Sequence, residues 1–136
     1  RGYNSDITRT VAVGNASVQA RNLYNVVLNA QLEAISAAKA GIFARDLDAV
    51  ARNRITNEGY GKYFIHSLGH GLGLQVHELP RVSSSSKEEL VADSVITIEP
   101  GVYIPRFGGI RIEDDVLLTS GGCEVLNSAP KKFMIV

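Results

Sequence analysis

Two runs of strand-like sequence in this chain each carry a glutamate inside or at the end of an apolar strand. Ile96-Thr97-Ile98-Glu99 is followed by Pro100-Gly101, and Ile110-Arg111-Ile112-Glu113 is followed by Asp114-Asp115. A carboxylate inside or at the end of an apolar strand is costly unless it is paired or bound to a cation. The fold must therefore carry these acids to a place where positive charge compensates them. Two further segments hold ionisable residues in similar settings, Ser5-Asp6-Ile7-Thr8 and His66-Ser67-Leu68-Gly69-His70-Gly71. All 3 histidines lie between positions 66 and 77, in a stretch from Gly59 onward where glycines crowd in at 59, 61, 69, 71 and 73. Glycine removes side-chain bulk and lets backbone and ligand approach closely. A lone Glu at a strand end is ordinarily a surface residue or an ion-pair partner, and a lone His on an apolar segment is ordinarily structural. It is the clustering of the histidines that points to chemistry. Asp6, Glu99, Glu113 and one imidazole make a hard, oxygen-rich set that suits one or two divalent ions such as Mn²⁺, Co²⁺ or Zn²⁺.

The rest of the chain supplies a scaffold of α+β type. Ser5 to Val13 alternates, with Ile7, Val11 and Val13 on one parity and Asp6, Thr8 and Thr10 on the other, which predicts a half-buried strand with one polar face. Ser17 is placed to cap a long helix running to about Ala40, with Gly41 as its stop, and Leu23, Val26, Val27, Ala30, Ala34 and Ala37 form its apolar stripe. Asp46 is placed to cap a second helix that ends at Gly59. The stretch after Gly71 is predicted to be extended, and Pro80 to Lys87, with four serines, an exposed loop. Strands are predicted at Ser94–Glu99, Val102–Ile104 and Ile110–Thr119, then a Gly121-Gly122 turn into Glu124–Leu126. The order is one strand, two helices and a run of mostly antiparallel strands.

Several function classes are disfavoured. The 14 basic and 14 acidic residues balance, so no basic excess points to nucleic acid. No apolar run approaches a membrane span, and no signal peptide is visible. A single cysteine, Cys123, forms no internal disulfide and fits a reducing cytoplasm. Gly69-His70-Gly71-Leu72-Gly73 is no phosphate loop, because neither a helix pattern nor a Lys-Ser/Thr pair follows it. His77-Glu78 does not open a helical zinc motif, since Arg81 stands where the second His is required and Pro80 would break the helix. Lys131-Lys132 is too short for a basic patch.

Taken together, these segments resemble the pita-bread metallopeptidases. His66 to Glu78 is similar to the signature of the proline-specific branch, Xaa-Pro dipeptidase and Xaa-Pro aminopeptidase. Tyr3 to Thr10, Ile98 to Tyr103 and Arg111 to Asp114 resemble the other metal-site segments of that family, in the family's order and across essentially the whole chain. The resemblance implies that Asp6, His70, Glu99 and Glu113 are metal ligands, with Asp6 and Glu113 touching both of two divalent ions. It implies that His66 and His77 hold the scissile carbonyl and the tetrahedral intermediate, and that Arg111, two residues before Glu113, steadies the metal site. Methionine aminopeptidases share the ligands and a counterpart of His77, but typically lack a His four residues before the ligand histidine and an Arg two residues before the last Glu. His66 and Arg111 therefore favour the prolyl branch.

The family carries one more aspartate ligand, upstream of Asp6 at a spacing that falls before Arg1. The expectation is that residues 1–136 are the C-terminal portion of the catalytic domain, a pita-bread fold incomplete at its N-terminus, with weak metal binding and little activity alone. The implied chemistry is hydrolysis of the bond preceding proline by water that two Mn²⁺, Co²⁺ or Zn²⁺ ions activate, with Glu99 as proton shuttle. The implied partner is a small peptide with proline after the scissile bond, with no nucleic acid and no membrane involved. Oligomeric state stays open, a homodimer being common among relatives. Two other readings also stay open: a pita-bread module that binds without catalysis, and an aminopeptidase without proline preference.

Overall fold

The computed structural model describes residues 2–136. Its architecture is the expected α+β type: two helices lie with a twisted antiparallel sheet and share one apolar core with it. The first element, β1, is only Val11–Ala12. Helix α1 spans Val18–Ala37 and α2 spans Ala44–Asn57. After a short 3₁₀ turn at Gly61–Tyr63 come β2 (Gly69–Gly71), β3 (Glu78–Val82), β4 (Val95–Ile98), β5 (Gly101–Ile104), β6 (Gly108–Arg111), β7 (Asp114–Leu118), β8 (Cys123–Val125) and β9 (Met134–Ile135). The main sheet has the order β3-β2-β4-β7-β8. Strands β5 and β6 form a separate hairpin, and β1 pairs parallel with β9.

Helix α1 begins where its sequence dictates. The Ser17 hydroxyl accepts the Ala20 amide at 3.1 Å, satisfying one of the donors that a helix start leaves free. Leu23, Val27, Ala30 and Ala34 are fully buried in the same core as Ile96, Ile98, Ile112 and Val116. The helix stops at Ala37, short of the expected Ala40, because Ala38 turns extended while its amide still bonds Ala34 and Ile35. Gly59, at φ +85, follows the end of α2 as expected.

Four expectations are corrected. Asp46 does not cap α2: Phe43 occupies that position, and Asp46 sits in the first turn, where its charge still favours the helix start. The segment 5–13 is extended but scarcely laddered, and its parity is reversed. Ile7, Val11 and Val13 are exposed, while Asp6, Thr8 and Thr10 turn inward. The inward polar groups are held by partners on the strand region opposite, among them Thr10 to the Arg111 carbonyl at 2.9 Å. Pro80 lies in β3 rather than in a loop. It is tolerated there because β3 is an edge strand, where a residue without an N–H costs no ladder bond. The long strand predicted at Ile110–Thr119 is two strands, broken at Ile112-Glu113, where Glu113 leaves the hairpin and bridges to Thr8.

The glycines beside His70 are demanded by backbone crowding. A Cβ at Gly69 would lie 1.8 Å from the Thr97 carbonyl oxygen, and one at Gly71 would lie 2.2 Å from that of Leu79. Strand β2 is thus squeezed between β3 and β4, and His70 is delivered on a backbone with little freedom to move. Gly69→Ala should destabilise the fold by about 2–3 kcal/mol through overpacking. Gly122→Ala, with nothing near its Cβ position, should stay within about 0.5 kcal/mol of the parent. Urea unfolding of the two variants checks the contrast.

Candidate metal centre

Three segments distant in sequence meet at His70. Ligand-capable atoms of Asp6, His70 and Glu113 all lie within 4.8 Å of one another. Glu99 joins through the imidazole, its Oε1 being 3.2 Å from His70 Nε2, while an Asp6 oxygen is 3.9 Å from the same nitrogen. His70 Nδ1 faces the Gly71 carbonyl at 3.0 Å. A proton on Nδ1 donated to that carbonyl leaves the Nε2 lone pair directed at the carboxylates, as metal-binding histidines are commonly arranged.

Each carboxylate is placed by a local device. Glu99 follows β4, and its Oε1 accepts from the Thr97 hydroxyl at 3.1 Å; the same hydroxyl accepts the His70 amide at 3.1 Å. Glu113 is 2% exposed. Its amide donates to the Thr8 carbonyl at 3.1 Å, and its Oε2 accepts a short hydrogen bond from the Thr8 hydroxyl. Arg111 acts along the same line: its Nε donates to Thr8 Oγ1 at 3.0 Å and lies 3.9 Å from Glu113 Oε2. Asp6 is set by its backbone, whose amide donates to Asp115 Oδ2 at 3.1 Å.

His66, His77 and Arg111 line the same open cleft, of about 760 Å³, as His70 and Glu99. The His77 ring stands 4.2 Å from that of His70. His66 Nδ1 faces the Ser67 carbonyl at 2.8 Å, while its Nε2 is buried without a partner. Every residue singled out from the sequence therefore lies at one place, with Glu99 attached through His70 rather than within the tightest trio.

The electrostatics fit a cation. Burial pushes the Glu113 carboxyl up to about 7, with further upward pressure from Glu99 and Asp6 and partial relief from the Thr8 hydroxyl and Arg111. The hydrogen bond that protonated His70 donates to Glu99 raises its pKa, against the opposing effect of burial. Burial also works against the Glu99 carboxylate, but the hydrogen bond and charge of His70, with the Thr97 hydroxyl, hold it below its ordinary range. Three acids and one imidazole thus share charge they cannot fully balance, a donor set that fits a divalent ion.

Several residues that build the site escape a sequence reading. Asp48 on α2 is fully buried and bidentate to Arg52, at 2.7 and 2.9 Å. Arg52 donates to the carbonyls of Phe64 and His66, and Asp48 accepts the Leu68 amide, so α2 grips the loop that delivers His66. An Asp–Arg pair at helical i,i+4 spacing was the available signal, but the same spacing describes any solvated helix face. Arg81, read only as excluding a zinc helix, puts a cation on the cleft wall. Among the described residues, no helix is long and apolar enough to cross a membrane.

The model of metallopeptidase family M24 matches residues 1–120. The chain is 52% identical over 132 residues to the Xaa-Pro dipeptidase of Pyrococcus furiosus, covering 97% of this chain and 38% of that protein. It superimposes on the Xaa-Pro dipeptidase of Bacillus anthracis with a TM-score of 0.98 at 50% identity, over 99% of this chain and 38% of the other. The X-Pro aminopeptidase of Thermotoga maritima gives a TM-score of 0.96 at 45% identity, over 99% and 38%. The chain thus spans about 38% of the length of these relatives.

A carboxyl raised from 4.5 to about 7 keeps its proton in the folded chain where the unfolded chain has lost it. This contribution to stability is complete below pH 4.5 and is lost as pH rises through 7. In metal-free protein, Glu113→Gln should remove that loss and stabilise the fold at pH 8 by about 1–3 kcal/mol, with little gain at pH 4. Urea titrations at the two pH values check it.

Proposed function

This chain belongs to metallopeptidase family M24, and from that premise we propose that the complete protein is a divalent-metal hydrolase of the peptide bond preceding proline. The α+β fold is the pita-bread fold of the matched dipeptidases. The carrying observation is the meeting of Asp6, His70 and Glu113 within 4.8 Å, with Glu99 on the same imidazole. In this reading Asp6, His70, Glu99 and Glu113 would hold two divalent ions of the Mn²⁺, Co²⁺ or Zn²⁺ type. Residues 1–136 are the C-terminal portion of the catalytic domain, and a further aspartate from outside them completes the set. The chain alone is then a weak binder with little turnover. When bound, such ions supply Lewis acidity and hydroxide near neutral pH.

The chain's own side chains supply the rest. Glu99, beside the His70 imidazole, takes the proton of the attacking water and returns it to the proline nitrogen as the C–N bond breaks. His66 lines the cleft and is assigned to hold the scissile carbonyl of the substrate. His77, on the cleft beside His70, faces the same oxyanion. Arg111 restrains Glu113 through the Thr8 hydroxyl. The leaving nitrogen carries no N–H in the substrate and belongs to a ring of fixed φ, which gives the cleft a shape to select.

In the complete enzyme, His70→Ala should lose bound metal and nearly all turnover. Glu99→Gln should lower kcat by about 10²–10⁴-fold with a smaller change in KM. Full activity in either variant removes its assigned role. Ala-Pro should be cleaved far faster than Ala-Ala, and equal rates would defeat the proline assignment.

A further inference from the structure

The segment carrying Asp6 has almost no ladder of its own, since β1 is two residues long and lies beyond it. Beyond the single Thr8–Glu113 bridge and the bond of the Asp6 amide to Asp115, side chains must fix its distance from Glu113, and Arg9 has the required geometry. All five N–H donors of its guanidinium are engaged. Nη1 donates to the Thr8 carbonyl at 2.9 Å and to the Glu113 carbonyl at 2.6 Å. Nη2 donates to Asp114 Oδ1 at 2.6 Å and to the Ala129 carbonyl at 2.8 Å, and Nε donates to the Pro130 carbonyl at 3.1 Å. One planar group thus ties together the Asp6 segment, the Glu113 backbone and the C-terminal tail.

Asp114 is the anchor. Its carboxylate meets Arg9, Lys131 and Gln31, none of which lines the cleft, so Asp114 turns away from it. It is fully buried, and its second oxygen takes Lys131 Nζ at 2.5 Å and Gln31 Nε2 at 2.8 Å. Both oxygens are satisfied, and two cations share one buried carboxylate. A carboxylate so held cannot rotate or shift without losing charged partners, and that fixes the pleat at Glu113.

We propose that Arg9 is a positioning residue for the metal site, setting the separation of Asp6 and Glu113 through its fork to the Thr8 and Glu113 carbonyls and its pairing with Asp114. The proposal rests on the reading that Asp6 and Glu113 bind metal. Charge alone does not suffice for this role: a lysine could satisfy Asp114 but could not span both carbonyls at once.

The test uses the complete protein as wild type, Arg9→Lys and Lys131→Gln, with Mn²⁺ as the probe. In Arg9→Lys, the Glu113 amide should exchange about tenfold faster relative to the β4–β7 amides of Ile96 and Val116. Mn²⁺ affinity by calorimetry should fall about tenfold or more. Lys131→Gln, which keeps the Arg9 fork, should change Mn²⁺ affinity by less than about threefold. In the wild type, the Arg9 Nη protons should give separate NMR resonances from hindered rotation. A folded Arg9→Lys variant with parental Glu113 protection and Mn²⁺ affinity overturns the proposal, as does uniform loosening of all amides with affinity unchanged. If Arg9→Lys does not fold, averaged Nη resonances in the wild type overturn it, and separate ones support it. If the wild type takes up no Mn²⁺, the metal reading fails by itself, while the exchange and resonance measurements still decide whether Arg9 fixes this separation.

Discussion

The structure turns on the convergence of like charges. Asp6, Glu99 and Glu113 arrive from three separate segments and face one imidazole. Carboxylates gathered in a partly buried place repel one another and lose hydration. The upward push on Glu113 is the direct mark of that cost. A fold tolerates such a centre only where each acid is held against repulsion and something positive enters. Here the holding is done by the chain, and the proposed positive partner is the metal.

The holding follows one pattern on both sides of the site. Behind His66 and Leu68, buried Asp48 and half-buried Arg52 form an ion pair whose spare donors and acceptor grip the loop backbone. Behind Glu113, Asp114 pairs with Arg9 and Lys131 and grips the backbone through Arg9. In each case the charged pair lies outside the residues that line the cleft. Buried ion pairs contribute little net stability because desolvation offsets their attraction, but removing one partner is expensive. Their use here is consistent with a positional role. Crowding of Gly69 and Gly71 against neighbouring carbonyls does the same for His70 without any charge.

Much of this was legible in the sequence. The Ser17 cap and Gly59 gave the helix pair, because caps and positive-φ glycines carry local signals that tertiary structure seldom overrides. Asp6, Glu99 and Glu113 stood out because ionisable side chains in strand-like segments conflict with their surroundings, and His70 because the histidines cluster. The reversed parity of residues 5–13 was not legible, since alternation reveals two faces but not which one meets buried partners. Pro80 was misplaced because an edge strand has no sequence mark distinct from a loop. Arg9, Asp48 and Asp114 were hidden because each sits in a polar run that resembles solvated surface. Only the long-range contacts, Arg9 to Asp114 and Gln31 to Asp114, reveal their work.

The central claim is that the four side chains around His70 make a cation site. Anomalous X-ray diffraction from crystals of the complete protein grown with Mn²⁺ tests it most directly. The account predicts anomalous peaks bonded to Asp6 and Glu113 oxygens, to His70 Nε2 and to Glu99. Well-ordered crystals in which those four groups bind no ion, with any Mn²⁺ lodged elsewhere, would contradict it.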